Sequence, residues 1–349
     1  ALMTISPLLV AMNWVALPVL WRYILGTIAF YWIATMMQFL SWSLLFRVLR
    51  RVVPPVLGFL GNPWQFPEGG HAEFLIPLVI TLGATAYGFL EAKRVRAIRY
   101  EIRSDKIPPT QSRFRIVQIS DLHLGMLENR LRLERVLARV EEANPDLVVS
   151  TGDLIDVHLQ DREWLVDRLK RVSPPLGKFA VTGNHEVYAG LDGAVAFLQD
   201  AGFMPLQGTA VQVTPFFGLA GVDDDDAVAM EMIPEPDEVG ILSHLSEQGF
   251  RLFLKHTPKV SPKVLGRFDL QLSGHTHGGQ VFPLFLVPLL VYGFRIGLTD
   301  LGSGSRLLLS RGAGTWGPPI RVFAPPEVCV IDILPLDRPQ IQRVREPGK

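Results

Sequence analysis

The sequence predicts an α/β domain carried behind an α-helical transmembrane region. Three observations support that division: long stretches without a charged residue crowd the first 90 positions, short apolar runs alternate with amphipathic ones after Pro108 and Pro109, and residues able to bind metal fall at the ends of those short runs. The 349 residues are 48% hydrophobic and 19% charged, below the roughly one quarter charged expected of a soluble protein. Lys plus Arg and Asp plus Glu each total 34, so the net charge is zero and bulk attraction to a polyanion is not a driving force. Nucleic acid is therefore not an expected partner. The single cysteine, Cys329, excludes an internal disulfide framework and a thiolate-rich zinc site. Any metal must use oxygen and imidazole ligands.

The transmembrane region is placed at residues 1–107, including a linker after the last span. Residues 1–21 hold no charge, Arg22 interrupts, and Tyr23 to Phe46 continues for 24 residues up to Arg47, Arg50 and Arg51. The second run is long enough to span a bilayer, whereas Pro7 and Pro18 make the first either a kinked span or a shallow segment. A third run, Phe74 to Leu90, offers 17 uncharged residues between Glu73 and Glu91, enough to cross when flanking side chains snorkel. Between these runs, Val52 to Pro67 carries Pro54, Pro55, Gly58, Gly61, Pro63 and Pro67, and is expected as an interfacial or re-entrant connector with Trp64 near the headgroups. Lys93, Arg94, Arg96, Arg99, Arg103 and Lys106 share a side with Arg22, seven cations against the three at Arg47, Arg50 and Arg51. This asymmetry predicts a multi-pass protein of the cell (inner) membrane with its C-terminal domain on the cytoplasmic face.

The domain at 112–336 is read as follows. Phe114 to Ile119 is a strand; Asn129 to Ala143 is a helix that sets Leu131, Leu133, Val136, Leu137 and Val140 on one face, with Asn129 as its N-cap. Asp146 to Ser150 is a strand, Arg162 to Val172 a helix, Phe179 to Thr182 a strand and Gly193 to Ala201 a helix. Further strands are expected at Thr209 to Val213, Phe216 to Ala220, Arg251 to Lys255, Asp269 to Leu272, Arg306 to Ser310 and Val328 to Ile333. Helices fit Asp237 to Gln248 and Lys259 to Leu265, and the tail at 337–349 reads as disordered from Arg338.

Polar residues cluster just beyond five of these strands. Asp121 and His123 follow the first, Gly152-Asp153-Leu-Ile-Asp156 the second and Gly183-Asn184-His185-Glu186 the third; His256 and Gly274-His275-Thr-His277-Gly-Gly279 follow two later ones. Loops at the carboxyl ends of strands in open α/β sheets converge on one crevice. A lone histidine after a strand is ordinarily structural, but five of the eight histidines lie in these short motifs, while His71, His158 and His244 have no such context. Two aspartates, one asparagine and four histidines besides His185 suit manganese, iron, zinc or nickel. Seven side chains exceed a single tetrahedral site, so two divalent ions are implied, with Asp153 as the shared carboxylate. Asp223 to Asp226 is read as a solvated acidic loop, and Arg311 as either a phosphate contact or a structural ion pair.

These blocks resemble the calcineurin-like metallophosphoesterases, whose pattern is Asp-x-His, Gly-Asp-x-x-Asp, Gly-Asn-His-Asp/Glu, a single His and Gly-His-x-His in that order. The resemblance covers Phe114 to Ile333. Ser310-Arg-Gly-Ala-Gly-Thr-Trp-Gly-Pro-Pro319 and Pro326-Glu327 are similar to the bacterial branch with an N-terminal membrane region. It implies a four-layer α-β-β-α sandwich with a dimetal site at one edge of its two sheets. It further implies that Asp121, His123, Asp153 and His277 hold one metal, that Asp153, Asn184, His256 and His275 hold the other, and that His185 is the catalytic residue beside the leaving group. A hydroxide bridging two cations is available at neutral pH for in-line attack on a phosphate mono- or diester, and Asp156 is expected to orient His185 or a ligating histidine. Gly278 to Phe294 carries no charge, which predicts an apolar surface that faces the bilayer and admits a lipid phosphoester. A non-catalytic scaffold on the same fold is disfavoured by the complete ligand set. A regulatory domain of a transport or sensor module is disfavoured by spans that lack a charge to mark an ion path.

Overall fold

In the computed structural model, which describes residues 19–61, 66, 70–125, 129–157, 159 and 161–336, two apolar helices precede the sheets. Helix α1 (Val19–Phe59) has 41 residues and α2 (Gly70–Glu91) has 22. Both are long and apolar enough to cross a membrane. They pack antiparallel, with Gln38 donating to Thr85 and Arg50 paired with Glu73. The expected connector begins later than composition indicates, because α1 runs through Pro54 and Pro55 to Phe59. Two adjacent prolines forfeit two N–H donors, but their fixed φ is helical, so the helix continues past them. Most of the run at 1–21, Trp64, His158 and the tail at 337–349 lie outside the described residues.

One six-stranded sheet contains β1 (Arg96–Ser104), β2 (Phe114–Ile119), β3 (Leu147–Thr151), β4 (Lys178–Val181), β5 (Met204–Pro205) and β12 (Glu327–Pro335), in the order β1-β12-β2-β3-β4-β5. The second contains β6 (Thr209–Thr214), β7 (Phe217–Gly221), β8 (Phe250–Leu254), β9 (Leu270–Ser273), β10 (Gly297–Gly302) and β11 (Ser305–Leu309), in the order β10-β11-β9-β8-β7-β6. Strands buried on both faces need cover on both. Phe114, Ile116, Leu147 and Val149 meet Phe217, Leu219, Leu252 and Leu254 in a buried cluster between the sheets. The outer face of the first sheet, through Val117, Ile119 and Val148, packs on α3 (Asn129–Ala143), α4 (Arg162–Lys170) and α5 (Asn184–Asp200). On the other side, Ala220, Val222 and Phe253 turn out onto α7 (Glu238–Ser243), which follows the short α6 (Asp225–Ala229). The result is the four-layer α-β-β-α arrangement.

Several elements differ from the sequence reading. The segment taken as linker forms β1, paired in parallel with β12 from Arg96 to Ser104. Ile98, Tyr100 and Ile102 alternate as a strand requires, but the interleaved cations give the segment the composition of a membrane flank. A helical turn from Asn184 precedes the helix expected from Gly193, and the non-helical Gly190 (φ 99°, ψ 104°) divides α5 into these two segments. The helix expected over 237–248 stops at Ser243, and the one over 259–265 is a single 3₁₀ turn at Pro262–Val264. Leu131 is exposed, whereas Leu133, Val136, Leu137 and Val140 are buried.

Candidate metal centre

Strands β2, β3 and β4 run parallel, as do β7, β8 and β9. Their carboxyl ends therefore lie on one edge, and the loops that follow them meet. Asp121, His123, Asp153, His275 and His277 all adopt left-handed backbone, with φ between 49° and 69°. Such conformations are disfavoured for residues with a Cβ and persist where the surroundings over-determine them. Here the Asp121 amide donates to Gly152 O at 3.0 Å, the His123 amide to Asp153 O at 2.9 Å and the His275 amide to Asp121 Oδ1 at 2.8 Å. Gly274 is required by close approach, since a Cβ there would collide with Ser120 and Asp121.

All nine residues singled out from sequence come together. In one group, His123 Nε2 lies 2.9 Å from His277 Nε2, and His277 Nε2 lies 3.5 Å from Asp121 Oδ1. In the other, His275 Nδ1 is 3.0 Å from Asn184 Oδ1 and 3.3 Å from His256 Nε2. Asp153 Oδ2 lies between them, 3.7 Å from His123 Nε2 and 3.2 Å from His256 Nε2. The second group is informative about what it binds. His256 Nδ1 faces the Thr151 carbonyl at 2.7 Å, so that nitrogen carries a proton and Nε2 is the ring atom turned to the centre. Nε2 meets the oxygens of Asp153 and Asn184, so a positive charge, either a proton on His256 or a metal ion, belongs among them. Convergent acceptors repel one another unless a cation sits among them, and the buried oxygen and imidazole set fits a divalent ion. Asp121, His123 and His277 form one such candidate group, and Asp153, His256 and His275 another.

The electrostatics follow the same pattern. Burial works to raise the Asp153 pKa, but His256, His123 and His185 outweigh it and hold the carboxyl far below the usual range. Burial opposes protonation of His256 too, yet Asp153 raises it well above an ordinary histidine. His277 is lowered by burial, His123 and Arg321. Asp156 Oδ1 lies 2.8 Å from His123 Nδ1 and 2.7 Å from His185 Nδ1, so one carboxylate orients both rings. Burial disfavours the charged His185, but its hydrogen bond to Asp156 and the charge of Asp153 raise its pKa overall.

Sequence reasoning passed over several supporting groups. Glu186, fully buried, accepts from the amides of Asp153 (2.8 Å), Ile155 (2.9 Å) and Gly183 (2.7 Å), tying the loop after β3 to the start of α5. Burial and the neighbouring Asp153 push its pKa up to about 7. Its place in the Gly183 to Glu186 block was the available signal. Glu186→Gln turns an amide donor toward backbone N–H groups, and is expected to destabilise the protein by roughly 2–4 kcal/mol, read as a lowered denaturation midpoint in urea. Asp223 and Asp224 are buried rather than solvated: Asp223 accepts from Thr182 at 2.7 Å and Asp224 from Thr257 at 2.8 Å, bracing the residues beside Gly183 and His256. Asp225 pairs with Lys255 and Lys259, and Asp226 with Tyr188. Arg311 pairs with Glu327, the structural alternative. Arg321, unmarked in the sequence, is fully buried, donates to the carbonyls of Gly314, Arg311, Ala324 and His277, and lies 3.3 Å from His277 Nδ1. Burial lowers its pKa to about 9.

The profile of the calcineurin-like phosphoesterases matches residues 114–279. The chain is 37% identical over 257 residues to an uncharacterized metallophosphoesterase of Aquifex aeolicus, covering 73% of this chain and 97% of that protein. It is 32% identical over 280 residues to an uncharacterized metallophosphoesterase of Bacillus subtilis, covering 77% and 96%. A Danio rerio protein named as a transmembrane protein with metallophosphoesterase domain is 30% identical over 279 residues, covering 76% of this chain and 63% of the relative.

Proposed function

This chain belongs to the calcineurin-like metallophosphoesterase family, and from that premise we propose that it is a membrane-anchored, two-metal enzyme that hydrolyses phosphate mono- or diesters. The observation that carries the reading is the gathering of imidazole nitrogens on both sides of Asp153 Oδ2. Asp121, His123, Asp153 and His277 would hold one divalent ion, and Asp153, Asn184, His256 and His275 the other. When bound, such ions supply Lewis acidity, lowering the pKa of water and offsetting negative charge on the phosphoryl group. Manganese, iron, zinc and nickel all match these donors.

His185 is the catalytic acid in this reading. Its Nδ1 is engaged by Asp156, which leaves Nε2 on the far side of the ring to protonate the departing oxygen. Asp156 is a positioning residue, fixing His185 and His123 together. Trp316 and Tyr188 flank the His185 ring, at centroid distances of 6.4 and 5.7 Å, and wall the leaving-group side.

Helices α1 and α2 are the anchor in this reading; with Arg96, Arg99 and Arg103 in β1, the cations at the helix ends balance, Arg22, Lys93 and Arg94 against Arg47, Arg50 and Arg51. Exposed Leu284, Phe285, Leu286, Leu289, Leu290 and Val291 follow directly on the histidine loop, which supports a lipid phosphoester as substrate. Chelation of divalent ions should abolish hydrolysis of p-nitrophenyl mono- and diesters, and single-metal add-back should restore it as mass spectrometry counts up to two ions per chain. Full turnover by protein stripped to fewer than about one ion per ten chains would remove the proposal.

A further inference from the structure

We propose that α1 is a wall of the substrate site as well as an anchor, and that one acyl chain of a lipid phosphoester lies between α1 and the segment at 279–292. This placement rests on the phosphoesterase reading for the position of the headgroup.

A cavity of about 450 Å³ lies between these elements. Phe30, Ile33 and Met37 of α1 form one side, and Leu284, Val287 and Tyr292 the other; His275 and His277 stand at its polar end. Tyr292 closes the short helix α8 (Val287–Tyr292), its ring centroid 5.9 Å from that of His275. The volume lies within the range of about 300–1,000 Å³ typical of ligand sites. Its lining is almost wholly apolar away from the metal-binding histidines, the polarity of an amphiphile with one phosphate end.

The α1 wall is anchored to the catalytic body. Trp42 stacks on Phe282 with centroids 4.0 Å apart and planes 12° from parallel. Ala34 is buried against Val281 and Ile320. Gln280 clamps the opposing loop, donating to Trp316 O at 2.8 Å and accepting from the Trp316 amide at 2.8 Å. The helix that supplies the wall is itself long and apolar enough to span a membrane, and the exposed leucines at 284–290 continue its apolar surface. An acyl chain already in the bilayer can slide into the cavity without crossing water. For that chain the transfer is apolar to apolar, so the cavity selects for chain length and position; a chain arriving from water gains about fourfold in affinity per buried methylene.

The test uses the full chain in nanodiscs, loaded with manganese, and the non-hydrolysable probes butyl, hexyl and octyl phosphonate below their micellar concentrations. Calorimetry should show octyl phosphonate binding at least tenfold more tightly than butyl. Ile33→Trp and Met37→Trp, which fill the cavity, should bring that ratio below about threefold. Ile28→Trp, on an exposed position of the same helix, should keep it. A flat wild-type series, or a series that both cavity-filling variants leave intact, overturns the proposal. So does a change in the mass of the particle on substitution, which would assign the face to a second copy of the chain. Because binding is read without turnover, a protein that selects octyl over butyl yet hydrolyses no ester would overturn the catalytic reading while supporting the cavity.

Discussion

Asp153→Asn should reduce turnover by about three orders of magnitude and cut bound metal from two ions to one or fewer per chain. Asp153 places one carboxylate oxygen between an imidazole of each group: Oδ2 lies 3.7 Å from His123 Nε2 and 3.2 Å from His256 Nε2. Its Oδ1 accepts from the His185 amide at 2.9 Å, fixing the carboxylate plane. The amide keeps the size and one oxygen but removes the charge, and it places a donor among groups arranged to surround a cation. The change is isosteric, so the fold should survive, which circular dichroism would verify beside the metal count. An Asp153→Asn protein with two ions and undiminished turnover would remove Asp153 from the centre.

His185→Gln should behave differently. It should lower kcat by about 10²–10⁴-fold, leave KM nearly constant and leave the metal content at the wild-type level, because the group acts on the leaving oxygen rather than on the ions. The loss should be larger for an alkyl ester than for p-nitrophenyl phosphate, whose leaving group needs little protonation. Asp156→Asn should cost less than either, about 10–100-fold, since its carboxylate acts by orienting His123 and His185. A His185→Gln enzyme equally slow on both esters would argue against proton donation. One that also sheds metal would move His185 into the ligand set.

The residues of the centre were legible because they follow strands that themselves read clearly: Phe114 to Ile119 and Leu147 to Thr151 are apolar runs closed by Ser-Asp and Gly-Asp turns. The parallel pairing of those strands does the rest of the gathering. The bracing was less legible, because it depends on partners distant in the chain. Asp223 and Asp224 form an acidic run that looks solvated until Thr182 and Thr257 are brought beside it. Arg321 has no local signature at all; its role comes from its own loop, which turns the carbonyls of Arg311, Gly314 and Ala324 inward, and from the distant carbonyl of His277. Helix α1 read as a span by its composition, and composition is silent on which of its faces meets Val281 and Ile320.

The first strand of the body has a practical consequence for anyone who wants the body free of the two apolar helices. Only residues 92–95 separate α2 from β1, and β1 is zipped to β12 from Arg96↔Glu327 to Ser104↔Pro335. Severing the polypeptide near residue 107, where the composition changes, would peel away the outermost ribbon and leave β12 with a row of bare amides and carbonyls, a template for sticking to other copies. A water-soluble version therefore has to begin within 92–95, upstream of that ribbon.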